Sequence, residues 1–335
     1  MKKKKGLPVF HTCKLAWFAV VSLLSIGTSH GQTLFVANSG NNFNNVDTSI
    51  GEFDAVTGDP INFGTLSKGN NFTQPWGLAI SGNTIFCSNP ANGSIVAVDA
   101  TTGAQTPLVA GLSYPALGLA VSGTTLFVSL QGTNSIGEYN TSTGAPVNGG
   151  TLVSGLSGPV GLAVSGMTLY VANQGNSTIG EYNVSTGTGP ALALAGLSGP
   201  AAIAISGTTL YVANAGVSDN NTITEYDLNT GTELNGGNPL VTGLGSNSDG
   251  LAIYDNTLYV STFSDDTISA FNASTGAELN GGQPLISNNG VNPPGVTPYL
   301  DAPVEILVIP EPSTGAMLLI ALGIPAMGFR RNCRG

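Results

Sequence analysis

Six segments of nearly one sequence recur along the chain. They are TLFVAN from Thr33, TIFCSN from Thr84, TLFVSL from Thr125, TLYVAN from Thr168, TLYVAN from Thr209 and TLYVST from Thr257. Successive starts lie 51, 41, 43, 41 and 48 residues apart. A period of this size means that one supersecondary unit is copied and that each copy buries its apolar surface against the next. The last five segments each follow a partner: GLAISG from Gly77, GLAVSG from Gly118, GLAVSG from Gly161, AIAISG from Ala202 and GLAIYD from Gly250. All six lead into a third segment, in order IGEFD, IVAVD, IGEYN, IGEYN, ITEYD and ISAFN. A Thr-Gly pair follows every time, from Thr57-Gly58 to Thr275-Gly276. A looser fourth segment, such as PLVAGL or TLVSGL, closes the unit.

Alternation of period two over short β-branched and aromatic runs, bounded by Gly and Asn, is the pattern of strands joined by tight turns. In TLYVAN the Leu and Val face one side and the Tyr the other, and both sides are apolar, as in a sheet sandwiched between neighbours. Three to four such strands per unit, repeated six times, predict an all-β chain folded as a six-bladed β-propeller. The first unit has no partner before TLFVAN. PPGVTPYL from Pro293 lies near the expected period and is one candidate for that strand; VEILVI from Val304 is the other. Either way the ring is expected to close, with the mature N-terminus completing the last blade and no free sheet edge left.

The repeat resembles the NHL-type family of six-bladed propellers, whose unit runs from a Pro-x-Gly-Ala/Leu-Ala-Val strand to a Tyr-Val-Ala-Asp/Asn strand and then to a strand with an aromatic near its end. The resemblance spans about residues 33–300. It implies architecture, because propellers carry many unrelated activities.

Both ends read as addresses. MKKKKGLPVFHTCK, then LAWFAVVSLLSIG, then TSHGQ form a basic head, an apolar run and a small-residue exit, which predicts a signal peptide over 1–31. The other end places Pro310, Glu311 and Pro312 before an apolar run and a basic cluster of Arg330, Arg331 and Arg334. That run, about 15 residues, covers roughly 22 Å as a helix, a little short of a bilayer core. Segment 309–335 is similar to the PEP-CTERM sorting signal: the Pro-Glu-Pro motif, a membrane helix and an Arg-rich end. The resemblance implies processing by exosortase after export, transient anchoring in the inner membrane, and a destination at the cell surface or in the extracellular matrix. It also implies a link to exopolysaccharide and biofilm. The propeller is then expected over 32–308.

Charge narrows the chemistry. The chain has 9 Lys and Arg against 19 Asp and Glu. Lys68 is the one basic residue between positions 32 and 308, against 18 acidic ones, so the body carries 1 − 18 = −17. Such a surface repels phosphate backbones, which excludes a nucleic-acid partner. His11 and His30 both precede the body. Without histidine there is no Ser-His-Asp or Cys-His nucleophile and no imidazole zinc site. Of the three cysteines, Cys87 alone falls in the body and is expected to pack as a small apolar side chain.

Four carboxylates share one place in the third segment: Glu52, Glu138, Glu181 and Glu225, with Ala97 and Ala270 in the other two repeats. Their expected role is structural, accepting hydrogen bonds from Thr hydroxyls or backbone of the adjacent blade; the alternative is a ring of cation ligands. Asn38, Asn89, Asn173 and Asn214 end second segments and are expected to bond their own turns. Asp265-Asp266 and Asp219-Asn220-Asn221 read as solvated turns first and weak calcium ligands second. The sequence therefore predicts a non-catalytic binding or structural module without a cofactor, with polysaccharide as its candidate partner. The alternative is a calcium-dependent lactonase or hydrolase whose carboxylates and amides converge on the ring axis.

Overall fold

In the computed structural model the described residues are 32–40, 48–69, 71–112, 116–189, 191, 192, 194, 196–215, 221–245, 248, 250–287, 300 and 303–309. They form six antiparallel sheets, five of four strands and one, that of the fifth repeat, of five because its outer segment is split in two. We number the blades 1 to 6 from the first repeat. The second strands are Thr33–Asn38, Thr84–Asn89, Thr125–Leu130, Thr168–Asn173, Thr209–Asn214 and Thr257–Thr262. The third strands are Ser49–Asp54, Ser94–Asp99, Ser135–Asn140, Thr178–Asn183, Asn221–Asp227 and Thr267–Asn272.

The inner strands of blades 2 to 6 are Leu78–Ser81, Ala116–Ser122, Pro159–Ser165, Pro200–Ser206 and Gly250–Tyr254. That of blade 1 comes from the far end of the chain, Pro303–Ile309, which pairs antiparallel with Thr33–Asn38. Ile306 stands opposite Val36 as Leu78 stands opposite Cys87 and Leu119 opposite Val128. The six inner strands touch one another in sequence around the axis, and Pro303–Ile309 meets both the inner strand of blade 6 and that of blade 2. VEILVI is thus the closing strand. PPGVTPYL does not take that place, and all of it except Leu300 lies outside the described residues. The body runs one residue past the expected boundary of 308, because Ile309 still pairs with Thr33. The signal segment 1–31 and the sorting segment 310–335, with Pro310, Glu311, Pro312, Arg330, Arg331 and Arg334, lie outside the described residues.

Each second strand packs its two faces on different neighbours, as the alternation requires. Leu169 and Val171 of blade 4 join Phe127, Ile136 and Val153 of blade 3. Tyr170 and Ala172 on the opposite face join Ile203, Leu210 and Val212 of blade 5. Cys87 lies in the same kind of layer with Ile85, Leu78 and Val98; it is fully buried, and burial pushes its thiol pKa far up, so it behaves as an apolar side chain.

A serine on the second strand adds a polar link between blades. Ser129 Oγ accepts from the Gly118 N–H of its own inner strand (2.7 Å) and donates to the Val160 carbonyl of blade 4 (2.8 Å). Ser88 makes the same pair with Gly77 and Leu117 (2.8 and 2.7 Å), and Ser261 donates to Val304 of the closing strand (3.0 Å). Blades 1, 4 and 5 carry Ala37, Ala172 and Ala213 at that position. Inner strands approach closely there: a Cβ on Gly118 would run into the Val160 carbonyl, and one on Gly77 into that of Leu117.

The Thr-Gly turns are held by the residue that ends each third strand. Asp227 Oδ1 accepts from the N–H groups of Asn229 and Thr230 (2.8 and 3.0 Å), and Asn272 Oδ1 from those of Ser274 and Thr275 (3.0 Å each). Asp or Asn suits this place in every repeat because its side chain supplies an acceptor two residues from its own backbone.

Candidate functional site

The ring axis holds a cavity of about 280 Å³. Its wall is made of inner-strand residues, chiefly Leu, Ala, Ile and Val, for example Leu119, Ala204 and Ile253. Glu305 is the one carboxylate among those lining residues. It stands in the register of Gly77, Gly118, Gly161 and Gly250 of the other inner strands. Calcium takes six to eight oxygen ligands. Among the described residues the axis offers one acidic side chain, and no group of three His, Cys, Asp or Glu comes together anywhere.

The four aligned glutamates lie away from the axis, each on a third strand directly opposite the aromatic of the second: Glu52 with Phe35, Glu138 with Phe127, Glu181 with Tyr170 and Glu225 with Tyr211. The fold does not bring them together. Their hydrogen-bond partners differ from the expectation. Asn62 Nδ2 donates to Glu52 Oε2 (2.8 Å), and side-chain amides of Asn148 and Asn235 bond Glu138 and Glu225. In each case the donor lies ten residues downstream in the same blade, in a short turn for Asn62 and Asn235 and inside the outer strand Pro146–Ser154 for Asn148, and not in a Thr or the backbone of the adjacent blade. All three asparagines have left-handed backbones, with φ of 48°, 47° and 58°. A backbone bond sets the loop in place: Ile61 N–H donates to the Glu52 carbonyl (2.9 Å) and Leu234 N–H to that of Glu225 (2.8 Å). The sequence signal for this pairing is an Asn ten residues after the Glu, within NFG or NGG.

Glu181 has no such asparagine, since position 191 is Ala. Burial pushes the carboxyl pKa of Glu138, Glu181 and Glu225 upward. A raised folded-state value means that the stability each contributes is present at acid pH and falls as pH rises above about 4.5, the ordinary Glu value. Glu181→Gln is therefore expected to raise the melting temperature at pH 7 and to leave it nearly unchanged at pH 4. Equal shifts at the two pH values, read by thermal melts, would refute the assignment.

The strand-ending asparagines are buried, and they reach further than their own turns. Asn89 Oδ1 accepts from Thr73 N–H (3.3 Å) and Asn214 Oδ1 from Ser198 N–H (3.0 Å), in each case sixteen residues upstream on the loop that enters the blade. Asn214 also donates to Thr224 Oγ1 (3.1 Å), and Asn38 to Ser49 Oγ (3.2 Å), across the ladder to the third strand. Asn173 is likewise buried at its strand end. Asp265 takes a hydrogen bond from its neighbour Ser264 (3.2 Å) in an exposed turn, which fits the reading as a solvated loop. Asp219 and Asn220 lie outside the described residues, and Asn221 begins the third strand of blade 5.

Six sheets of four or five strands around a chiefly apolar axis, with Pro303–Ile309 closing on Thr33–Asn38, define the molecule as a six-bladed β-propeller. Residues 91–316 match the PQQ_2 family, described as outer membrane protein assembly factor BamB, and the chain belongs to that family. No curated protein matches the sequence. Among solved structures it is similar to a chain of the nidogen/laminin complex, with TM-score 0.65 and 13% identity over 83% of this chain and 97% of that one. It is also similar to a putative 6-phosphogluconolactonase from Bacteroides fragilis, with TM-score 0.57 and 16% identity over 84% of this chain and 99% of that one. At these identities the likeness is one of fold.

Proposed function

We propose that this protein is an exported, non-catalytic binding or structural module of the cell surface or extracellular matrix, with polysaccharide as its partner. The observation that carries the reading is what the body spends its polar side chains on. Three of the four aligned glutamates bond asparagines of their own blades, buried serines and asparagines bond backbone, and the axial wall is apolar apart from Glu305. A body of charge −17 without histidine supplies neither the commonest general base nor an anion-binding surface. On the same reading the terminal segments act as signal peptide and PEP-CTERM tail, with exosortase acting at Pro310-Glu311-Pro312, and the repeat is of NHL type within the wider propeller class.

Two measurements on the native host's protein test this. The extracellular form is expected to lack the Arg-rich tail by intact mass, and to retain it after Glu311→Ala. The body is expected to co-sediment with the host's extracellular polysaccharide. An unprocessed surface form, or a body that stays in the supernatant, would overturn the corresponding half.

A second reading, an extracytoplasmic lactonase, draws on the lactonase-like propeller of similar fold and on Glu305 at the axis. It requires lactone hydrolysis that a chelator abolishes and that Glu305→Gln removes.

A further inference from the structure

Blade 6 keeps half of a pairing that blades 1, 3 and 5 keep whole. Its loop before the outer strand is built as in blades 1 and 5: Leu279 N–H donates to the Ala270 carbonyl (2.8 Å), and Asn280 has φ 62°. Asn280 therefore holds the register of Asn62, Asn148 and Asn235. Yet the glutamate that should face it is Ala270. Among the described residues nothing accepts from the Asn280 amide, which is exposed and so open to water or to a ligand. Beside Ala270 and Asn280 lies a cavity of about 180 Å³, roughly six waters in volume. It lies at the junction where the chain closes, between blade 6 and Ala55 and Val56 of blade 1.

The lining sets the chemistry. Asn280 and Gln32 offer amides, and Asp255 an exposed carboxylate. Leu279, Leu285 and Ala55 supply an apolar wall, and at its rim Val56 is 63% exposed, one of two large hydrophobic side chains so placed among the described residues. An anion is disfavoured by Asp255 and by the charge of the body, and a bare cation by the apolar wall. A neutral ring with C–H faces and hydroxyls that both donate and accept matches both kinds of wall.

We propose that the cavity between blades 6 and 1 binds a single neutral sugar residue, whose hydroxyls take the place of the absent glutamate against Asn280 and bond Asp255. The site rests on the binding-module reading and locates its partner. The test is ligand-observed NMR and calorimetry on the body with methyl glycosides of glucose, galactose, mannose and N-acetylglucosamine, with propionate as the anionic control. Wild type is expected to bind at least one glycoside with millimolar affinity and to prefer it to propionate. Ala270→Glu rebuilds the pairing of blades 1, 3 and 5, puts a carboxylate into the cavity against Asn280 and should weaken binding at least tenfold, with a cooperative melt that shows the ring intact. Asn280→Gly keeps the left-handed backbone, removes the amide and should also weaken binding about tenfold; it decides the matter if Ala270→Glu misfolds. Binding of none of the four sugars, preference for propionate, or unchanged affinity in the variants would each overturn the site. Co-sedimentation of the Ala270→Glu body with polysaccharide at wild-type levels would remove this site and leave the binding-module reading intact.

Discussion

Truncation after residue 302 is expected to abolish cooperative folding of the ring. The lost segment, Pro303–Ile309, is the inner strand of blade 1. It buries Val304 fully and Ile306 to 3% exposure. Ile306 packs with Leu34 and Val36 of blade 1 and with Tyr259 and Ile268 of blade 6. Val304 packs with Phe35 of blade 1 and Ile85 of blade 2. Burying two such side chains contributes about 1.5–3 kcal/mol each, and the ladder to Thr33–Asn38 is lost with them. Against a total stability of about 5–15 kcal/mol, that leaves little. The exposed edge of Thr33–Asn38 becomes a template for pairing with other chains. Circular dichroism melts and gel filtration should show a broad transition and aggregates. A monomer with a sharp melt within a few degrees of wild type would show that the closing strand is dispensable.

Gly144→Ala should cost about 2–5 kcal/mol, and Gly123→Ala about 1–2. Both glycines have left-handed backbones, φ 67° and 58°. Each alanine therefore meets the left-handed penalty of roughly 1–2 kcal/mol. The two differ in surroundings. A Cβ at Gly123 meets nothing within 4 Å, whereas one at Gly144 would run into the Leu108 carbonyl of blade 2. Backbone cannot rotate away as a side chain can, so an overpacking cost of about 1–3 kcal/mol is added. The same contact recurs around the ring, with Gly103 against Leu66, Gly187 against Leu152 and Gly58 of blade 1 against Leu285 of blade 6. Denaturant titration of both variants measures the difference. Equal destabilisation would mean that the Thr-Gly turns serve local geometry alone and not the contact between blades.

Ala270 and Ala97 show how little a substitution pattern says without its surroundings. Both replace the aligned glutamate, but position 280 is Asn, whereas position 107, ten residues after Ala97, is Pro. One repeat has lost both partners and the other has kept one. The sequence carried that difference, yet only the backbone bond from Leu279 to Ala270 places Asn280 where a glutamate is missing.

The repeat itself was legible from residue order, because strand alternation and turn chemistry are local. TLYVAN must put Leu and Val on one face, and a Thr-Gly pair after Asp or Asn must turn. The number of blades followed from counting, and the apolar role of Cys87 from its place in that pattern. What local pattern could not decide were the meetings of residues far apart in the chain. Whether PPGVTPYL or VEILVI closes the ring depends on which strand can pair with Thr33–Asn38 while filling the gap between blades 6 and 2, a condition set by the whole circle. The partners of Glu52, Glu138 and Glu225 depend on a loop whose left-handed asparagine turns its amide back onto the strand. The serine links depend on how near one inner strand comes to the next. Each is a distance between segments that propensity does not constrain, and the tertiary structure decided them because the ring must close with the apolar face of every blade covered by its neighbour.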